Sequence, residues 1–465
     1  MSRAARVLRQ ARSNNGYGCD EDDDNDDDTT SPSPEEEEEK DPYEIGWDDG
    51  DNDPLNPRSM PHWRKWVIVI ITSFGAFCVT NASASYTATY TQMTLEFHTT
   101  KLIATIGLSM FVLGIAMGPF WSPLAEFYGR RPIYLASFLL FTVWIIPSAV
   151  AQNIATMNVA RFFQGLAGSA FLSVSGGTVG DLFNRESMSL PMTIFSVAPF
   201  DPVLLKRKAE KVRKETGDDR WKAPMEKTSK SVTRTVAYSL LRPFQLLIME
   251  PMCLILDIYS AILLGVLYLF FGAFPLVFVN NHGFNLWQVG LTFMGLLVAS
   301  ILAALSTPFW HRLRYDLAEK RGQKTGIVKA EPEDQLPPVI LGAPLITAGL
   351  FLFGFTTYPW VHWIFPIIGS GIFGLGTMLA FTGIFTFLVD AYPRYAASAL
   401  AGNAFVRCTF AAAFPLFGVQ MYERLGYQWA SGLLAFLTLA MLPFPYLFFV
   451  YGKRIRARSK FATSS

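Results

Sequence analysis

Five polar side chains set within long apolar runs carry the chemistry available to this chain: Arg161, Gln164, Asp257, Asn403 and Arg407. An ionisable group in a hydrocarbon layer is costly and marks a functional position by default. Asp257 could take up and release a proton there, or hold a neighbouring helix by a hydrogen bond. Glu250, a turn or two nearer the helix start, falls at head-group level and needs no special role. Arg161 and Gln164 stand one turn apart on the same helix face. Arg161 lies close enough to one end of its run to act within the membrane or to snorkel to the outer interface. Asn403 and Arg407 share a face too, and could contact a solute or bond an adjacent helix. His62, His98, His282, His311 and His362 are isolated, and the four cysteines are scattered, so metal chemistry and a disulfide framework find no pattern. The expectation is a protein without cofactor or metal that is not an enzyme.

A second cluster lies between two apolar runs: Gly118-Pro-Phe-Trp-Ser-Pro-Leu-Ala-Glu126-Phe-Tyr-Gly129-Arg130-Arg131-Pro. Glycine permits turns closed to residues with a β-carbon. A carboxylate at Glu126 could pair with Arg130 or Arg131 and release it as two halves rock. Two arginines alone would satisfy topology, so the added glycine, carboxylate and prolines favour a gating hinge over a plain basic loop.

The elements that position these residues are membrane helices. The 465 residues are 51% hydrophobic and 17% charged, and a span needs about 20 apolar residues. Runs of that length lie near 66–90, 102–123, 132–151, 156–178, 252–279, 287–308, 338–357, 360–388, 397–419 and 429–451. With the N-terminus in the cytosol, every Lys and Arg except Lys101, Arg161, Arg407 and Arg424 falls on the cytosolic side, which predicts both termini cytosolic. The basic run 206–230 and the tail Lys453–Lys460 then suit anionic lipid head groups rather than nucleic acid. Residues 1–61 carry blocks of like charge and read as a disordered acidic tail. Segments 62–200, 201–243, 244–452 and 453–465 read as a first bundle, a basic linker, a second bundle of six helices and a basic tail.

The hinge, Asn158-Val-Ala-Arg161-Phe-Phe-Gln164-Gly165, Gly176-Gly-Thr-Val-Gly-Asp181, Glu250-Pro251, Tyr268-Leu-Phe-Phe-Gly-Ala-Phe-Pro275 and Asp390-Ala-Tyr-Pro-Arg394 together resemble the twelve-helix fungal drug:proton antiporters of the major facilitator superfamily. The resemblance covers 62–452 and implies an all-α membrane protein of two bundles, in which the arginine at Arg161 is implicated in proton coupling. It implies proton-driven efflux of small amphipathic compounds by a monomer in the plasma membrane or the vacuolar membrane. Uptake or polyamine transport on the same fold are the alternatives. Among the many aromatics, a subset of Phe270, Phe271, Phe274, Phe278 and Trp287 would line the cavity.

The resemblance also exposes an absence. The only apolar run between 181 and 251 is Ser189–Phe200, which reaches about 18 Å as a helix against the roughly 30 Å needed. The family's fifth helix bears a glycine-proline repeat that does not occur here, and Asp201-Pro202-Val-Leu-Leu resembles the segment after its sixth. The chain thus reads as four helices plus six, with most of the fifth and sixth missing. Paired repeats make that a poor design, so a transport-incompetent truncated variant is a third expectation.

Overall fold

The computed structural model describes residues 59–174, 232–325 and 331–457, with Ser459 and Phe461, and among these the regular backbone is helical. The acidic segment to 58, the residues after Val174, the 189–200 run and the basic linker to 231 lie outside the described residues.

Helix α1 (His62–Ser85) passes through a tight turn into α2 (Tyr90–Glu96), so the first span runs further than its apolar core. α3 (Lys101–Ala116) starts where the Thr100 hydroxyl accepts the Ile103 N–H. α4 (Trp121–Tyr128) and α5 (Arg130–Ala149) flank Gly129. α6 (Ile154–Gly168) is capped by Asn153, whose side chain accepts the Thr156 N–H at 2.8 Å, and continues into α7 (Ala170–Ser173). α8 (Val232–Met249) then runs unbroken past position 243 to the start of α9 (Pro251–Phe274), which is extended through Pro275–Val279 and α10 (Asn280–His282). Next come α11 (Leu286–Thr292), α12 (Met294–Thr325), α13 (Pro337–Phe355), α14 (Ile364–Ala391), α15 (Ala396–Leu425), α16 (Tyr427–Met441) and α17 (Pro443–Arg456). Proline opens α9, α13 and α17, where its missing N–H costs nothing.

Among the described residues, nine helical segments are long and apolar enough to cross a membrane. The fourth of the ten expected runs is the exception: α6 has 15 residues, and the description stops at Val174. The run expected at 287–308 proves far longer, because α12 carries its helix on through a charged stretch to Thr325.

The larger core lies in the second bundle, around Phe270, Phe274, Phe353 and Phe373, each fully buried. Phe270 meets the rings of Phe353 and Phe373 at centroid distances of 5.0 and 5.2 Å. The two halves meet chiefly along α3 and α15, and a mixed cluster joins Leu108, Phe111 and Ile115 to Cys408, Ala411 and Ala412.

Candidate functional site between the two bundles

Two glycines set the site in the first half. A Cβ on Gly165 would collide with the Phe111 carbonyl, and one on Gly114 with the Phe162 carbonyl, so α3 and α6 touch backbone to backbone. That contact seats Arg161, which is 5% exposed. Its guanidinium donates to Gln164 Oε1 at 3.1 Å and to the Ala82 carbonyl at 3.0 Å. It also lies 4.3 Å from the ring centroids of both Tyr86 and Phe111. Arg161 therefore points into the protein, and the snorkelling position is not taken.

In the second half, α9 and α15 pack through Gly265 against Phe414 and Gly418 against Leu269. Asp257 is fully buried there. The Asn403 amide donates to Asp257 Oδ1 and to Ser260 Oγ, both at 2.8 Å, and the Cys253 thiol donates to Asp257 Oδ2 at 3.5 Å. Arg407, one turn beyond Asn403, stacks on Phe381 and Phe385 with centroid distances of 5.2 and 4.7 Å. Its Nε and the Asn403 side-chain oxygen have no hydrogen-bond partner among the described residues. Asn403 thus bonds a neighbouring helix, whereas Arg407 keeps donor capacity for another partner.

Tyr268 lies at the seam of the two halves, packed on the cluster that joins Leu108 and Phe111 to Cys408 and Ala411. Sequence reasoning passed over it, although 11 residues, about three turns, separate it from Asp257 and put both on one face of α9. At the end opposite the hinge a cavity of about 230 Å³ is lined by Lys101, Thr105, Pro415, Gln420 and Glu423. A separate pocket that shares Thr105 and Pro415 with it, and adds Tyr268 and Phe271, holds about 10 Å³, scarcely a water's worth of space. Of the aromatics expected to line a cavity, Phe271 does so; Phe270, Phe274 and Phe278 are core, and Trp287 is exposed.

At the hinge, Gly129 has φ 86° and ψ 157°, a region open almost only to glycine. Trp121 Nε1 donates to the Leu166 carbonyl at 2.8 Å, and Arg130 donates to the Val174 carbonyl at 3.1 Å. The first bond ties the hinge to the end of α6, the helix that carries Arg161, and the second to the residue that closes α7. Arg131 is exposed, and the Glu126 side chain lies outside the described residues.

The same end of the second bundle holds an ion-pair cluster that sequence reasoning missed. Arg314 pairs with Asp390 at 2.9 Å, and Arg321 with Asp334 and Glu331. Lys453 meets Glu331 at 2.7 Å, and Arg456 holds Glu333 through two bonds of 2.8 Å. Burial raises the Glu331 pKa, but the Lys453 hydrogen bond and the charges of Arg321 and Arg456 outweigh it and hold the carboxyl below its ordinary value. Lys453, exposed, and Arg456, buried, both pair with carboxylates of this cluster. One expectation changes here. Glu250 is no idle head-group residue: it is 4% exposed and accepts hydrogen bonds from Tyr392 and Ser459. The acidic run Glu331-Pro-Glu333-Asp334 in an otherwise basic region was the available signal.

Residues 72–200 match the family model of the Major Facilitator Superfamily. The efflux pump atB of Aspergillus terreus is 48% identical, over 89% of each chain. The probable drug/proton antiporter YHK8 of Saccharomyces cerevisiae is 36% identical, over 91% of each. The solved proton:xylose symporter XylE superposes with a TM-score of 0.53 at 11% identity, over 83% of this chain and 95% of that one. The match to atB runs over 459 positions, yet 89% of the 465 residues is about 414, so about 45 positions have no residue here. The match to YHK8 runs over 472 positions and takes in 91%, about 423 residues, leaving about 49.

Proposed function

The chain belongs to the major facilitator superfamily, and on that premise we propose that it is a proton-coupled exporter of small amphipathic organic compounds. The state of Asp257 carries this reading. It is fully buried but held by a neutral amide and a thiol, with no ion pair within 4 Å among the described residues. A carboxylate locked to arginine would resist protonation; one held by an amide can take a proton and lose it again. Arg161 lies buried in one half and Arg407 stacks on aromatic rings in the other, positive charges that a protonation change at Asp257 would unbalance. The names of the relatives, an efflux pump and a drug/proton antiporter, agree in direction and in coupling ion.

In this reading the halves rock about the α3–α15 seam, the hinge at Gly129 and Arg130 gates the cytosolic end, and protons enter as the solute leaves. Both termini are cytosolic, the protein acts as a monomer in the plasma membrane, and aromatic side chains such as Phe271 favour apolar cargo over sugars. A thiol introduced as Lys208→Cys should react only from the cytosolic side; reaction from outside would overturn the topology. Expression in a drug-sensitive host should lower accumulation of amphipathic toxins, and a protonophore should abolish that effect. Unchanged accumulation across a broad panel would sink the exporter reading.

A second reading has its own support in the positions that the relatives possess and this chain lacks. Two spans with their turns need about that length. We infer that most of the fifth and sixth helices is missing between 189 and 202, that the 189–200 stub stays at the cytosolic face, and that this form inserts but transports poorly. Sequencing the transcript across that junction separates a shortened product from a complete one.

A further inference from the structure

We propose that Ser459 is a phosphorylation site, and that a phosphate there unseats a C-terminal strap from the second bundle. The proposal rests on the cytosolic placement of the C-terminus argued above.

The strap is anchored at four points. Lys453 pairs with Glu331 and Arg456 with Glu333 at the end of α17. Beyond it, the Ser459 N–H donates to the Arg456 carbonyl at 2.9 Å, turning the chain back over the bundle. The Ser459 hydroxyl then donates to Glu250 Oε1 at 2.6 Å, while the other carboxylate oxygen accepts from Tyr392 at 3.1 Å. Finally Phe461 packs its ring edge-on against Tyr395, with centroids 5.6 Å apart, and its N–H donates to Ser459 Oγ. One short segment thereby ties the end of α17 to the start of α9 and to the turn before α15. These elements must shift relative to one another if this end of the bundle opens.

Glu250 makes the anchor sensitive to charge. Its carboxylate is buried and stabilised by two hydroxyls. The Ser459 hydroxyl serves because it donates a proton; the phosphomonoester dianion that prevails near neutral pH has none to donate and sets two negative charges against a carboxylate, so the contact turns repulsive. The sequence Lys453-Arg-Ile-Arg456-Ala-Arg458-Ser459 places arginines three and one residues before the serine, which suits the acidic groove of an arginine-directed protein kinase. In the reaction the Ser459 oxygen attacks the γ-phosphorus of ATP, the bond to the departing ADP breaks, and the hydroxyl proton is released. Seated, Ser459 and Arg456 are both engaged, so the kinase captures the released strap and the phosphate prevents it from returning.

The test uses the full chain in membranes. Vesicles of defined sidedness are incubated with ATP and an arginine-directed kinase, and the C-terminal peptide is read by mass spectrometry. Strap position is read by reaction of an added thiol, Thr463→Cys, with an impermeant maleimide, against a parent lacking that thiol. Phosphate is expected on Ser459 in inside-out vesicles. In Ser459→Glu the labelling rate should rise about tenfold over wild type. Glu250→Gln combined with Ser459→Glu should bring the rate back towards wild type, because the repulsion needs both charges. Absence of phosphate on Ser459 while a control peptide is modified would overturn the proposal, as would equal labelling of Ser459→Glu and wild type. Labelling solely in right-side-out vesicles would instead overturn the topology beneath it.

Discussion

Asp257 and Arg161 are both buried charges, yet their surroundings differ in kind. Arg161 is held by two hydrogen bonds and two aromatic faces, which fix its position in the first half. Asp257 has an amide on one oxygen and a weak thiol donor on the other, so either protonation state can be accommodated. Asp257→Asn should therefore leave insertion intact while transport, assayed in vesicles, loses its dependence on an imposed pH gradient. Retained gradient dependence would move the proton site elsewhere. Asn403→Ala removes a donor to a charged group and should cost about 1.5–3 kcal/mol in thermal unfolding in detergent. The sequence displayed these residues because a charge in an apolar run is rare. It could not show which neighbours they meet: Asp257 and Asn403 are far apart in the chain and join only when α9 packs on α15. Tyr268 stayed hidden for a related reason, since tyrosine is common in membrane helices and gains meaning from its place on the cluster that joins the two halves.

At the level of elements, both strained glycines precede a helix: Gly129 before α5, and Gly426, at φ 77° and ψ 158°, before α16. Gly129→Ala should cost about 1–3 kcal/mol and slow turnover more than it impairs insertion. Arg130→Ala with Arg131→Ala should also slow turnover at normal membrane abundance; unaltered transport would reduce the motif to a topological signal. The ion-pair cluster gives a sharper contrast. Arg456→Ala leaves Glu333 buried without its partner and should destabilise the fold by about 3–5 kcal/mol. Glu331, with its pKa held low, adds stability that is present above its unfolded value and fades as pH falls through the folded one. Acidifying the cytosolic buffer below the ordinary carboxylate range should accordingly loosen the strap in the maleimide assay. Hydropathy marked the spans well but stopped each helix where its apolar run stopped. α12 continues to Thr325 because its charged end finds partners, Asp390 for Arg314 and Asp334 for Arg321, that no local window contains.

For the whole molecule the telling quantity is uneven burial. In the most apolar stretch of the spans Pro251–His282, Pro337–Phe355 and Ile364–Ala391, 56–61% of residues are buried, whereas in Leu286–Arg321 the share is 17%. Leu297, Val298, Ile301, Leu302, Leu305 and Phe309 all stand exposed on that helix. A face so bare follows if the helices that would have covered it are among the positions this chain lacks. Restoring those positions from a relative should protect Leu305→Cys from a lipid-soluble maleimide and lengthen the lifetime of the protein in cells. Equal reactivity and lifetime would show that α12 faces lipid in the complete transporter as well. The strap has a practical corollary for anyone handling this protein. Phe461 is seated on the bundle by its ring contact with Tyr395, so a fluorescent protein or purification handle fused just after it would pull on the fastening itself. Reporters belong on the acidic N-terminal segment, and activities measured with C-terminal fusions describe the unfastened form.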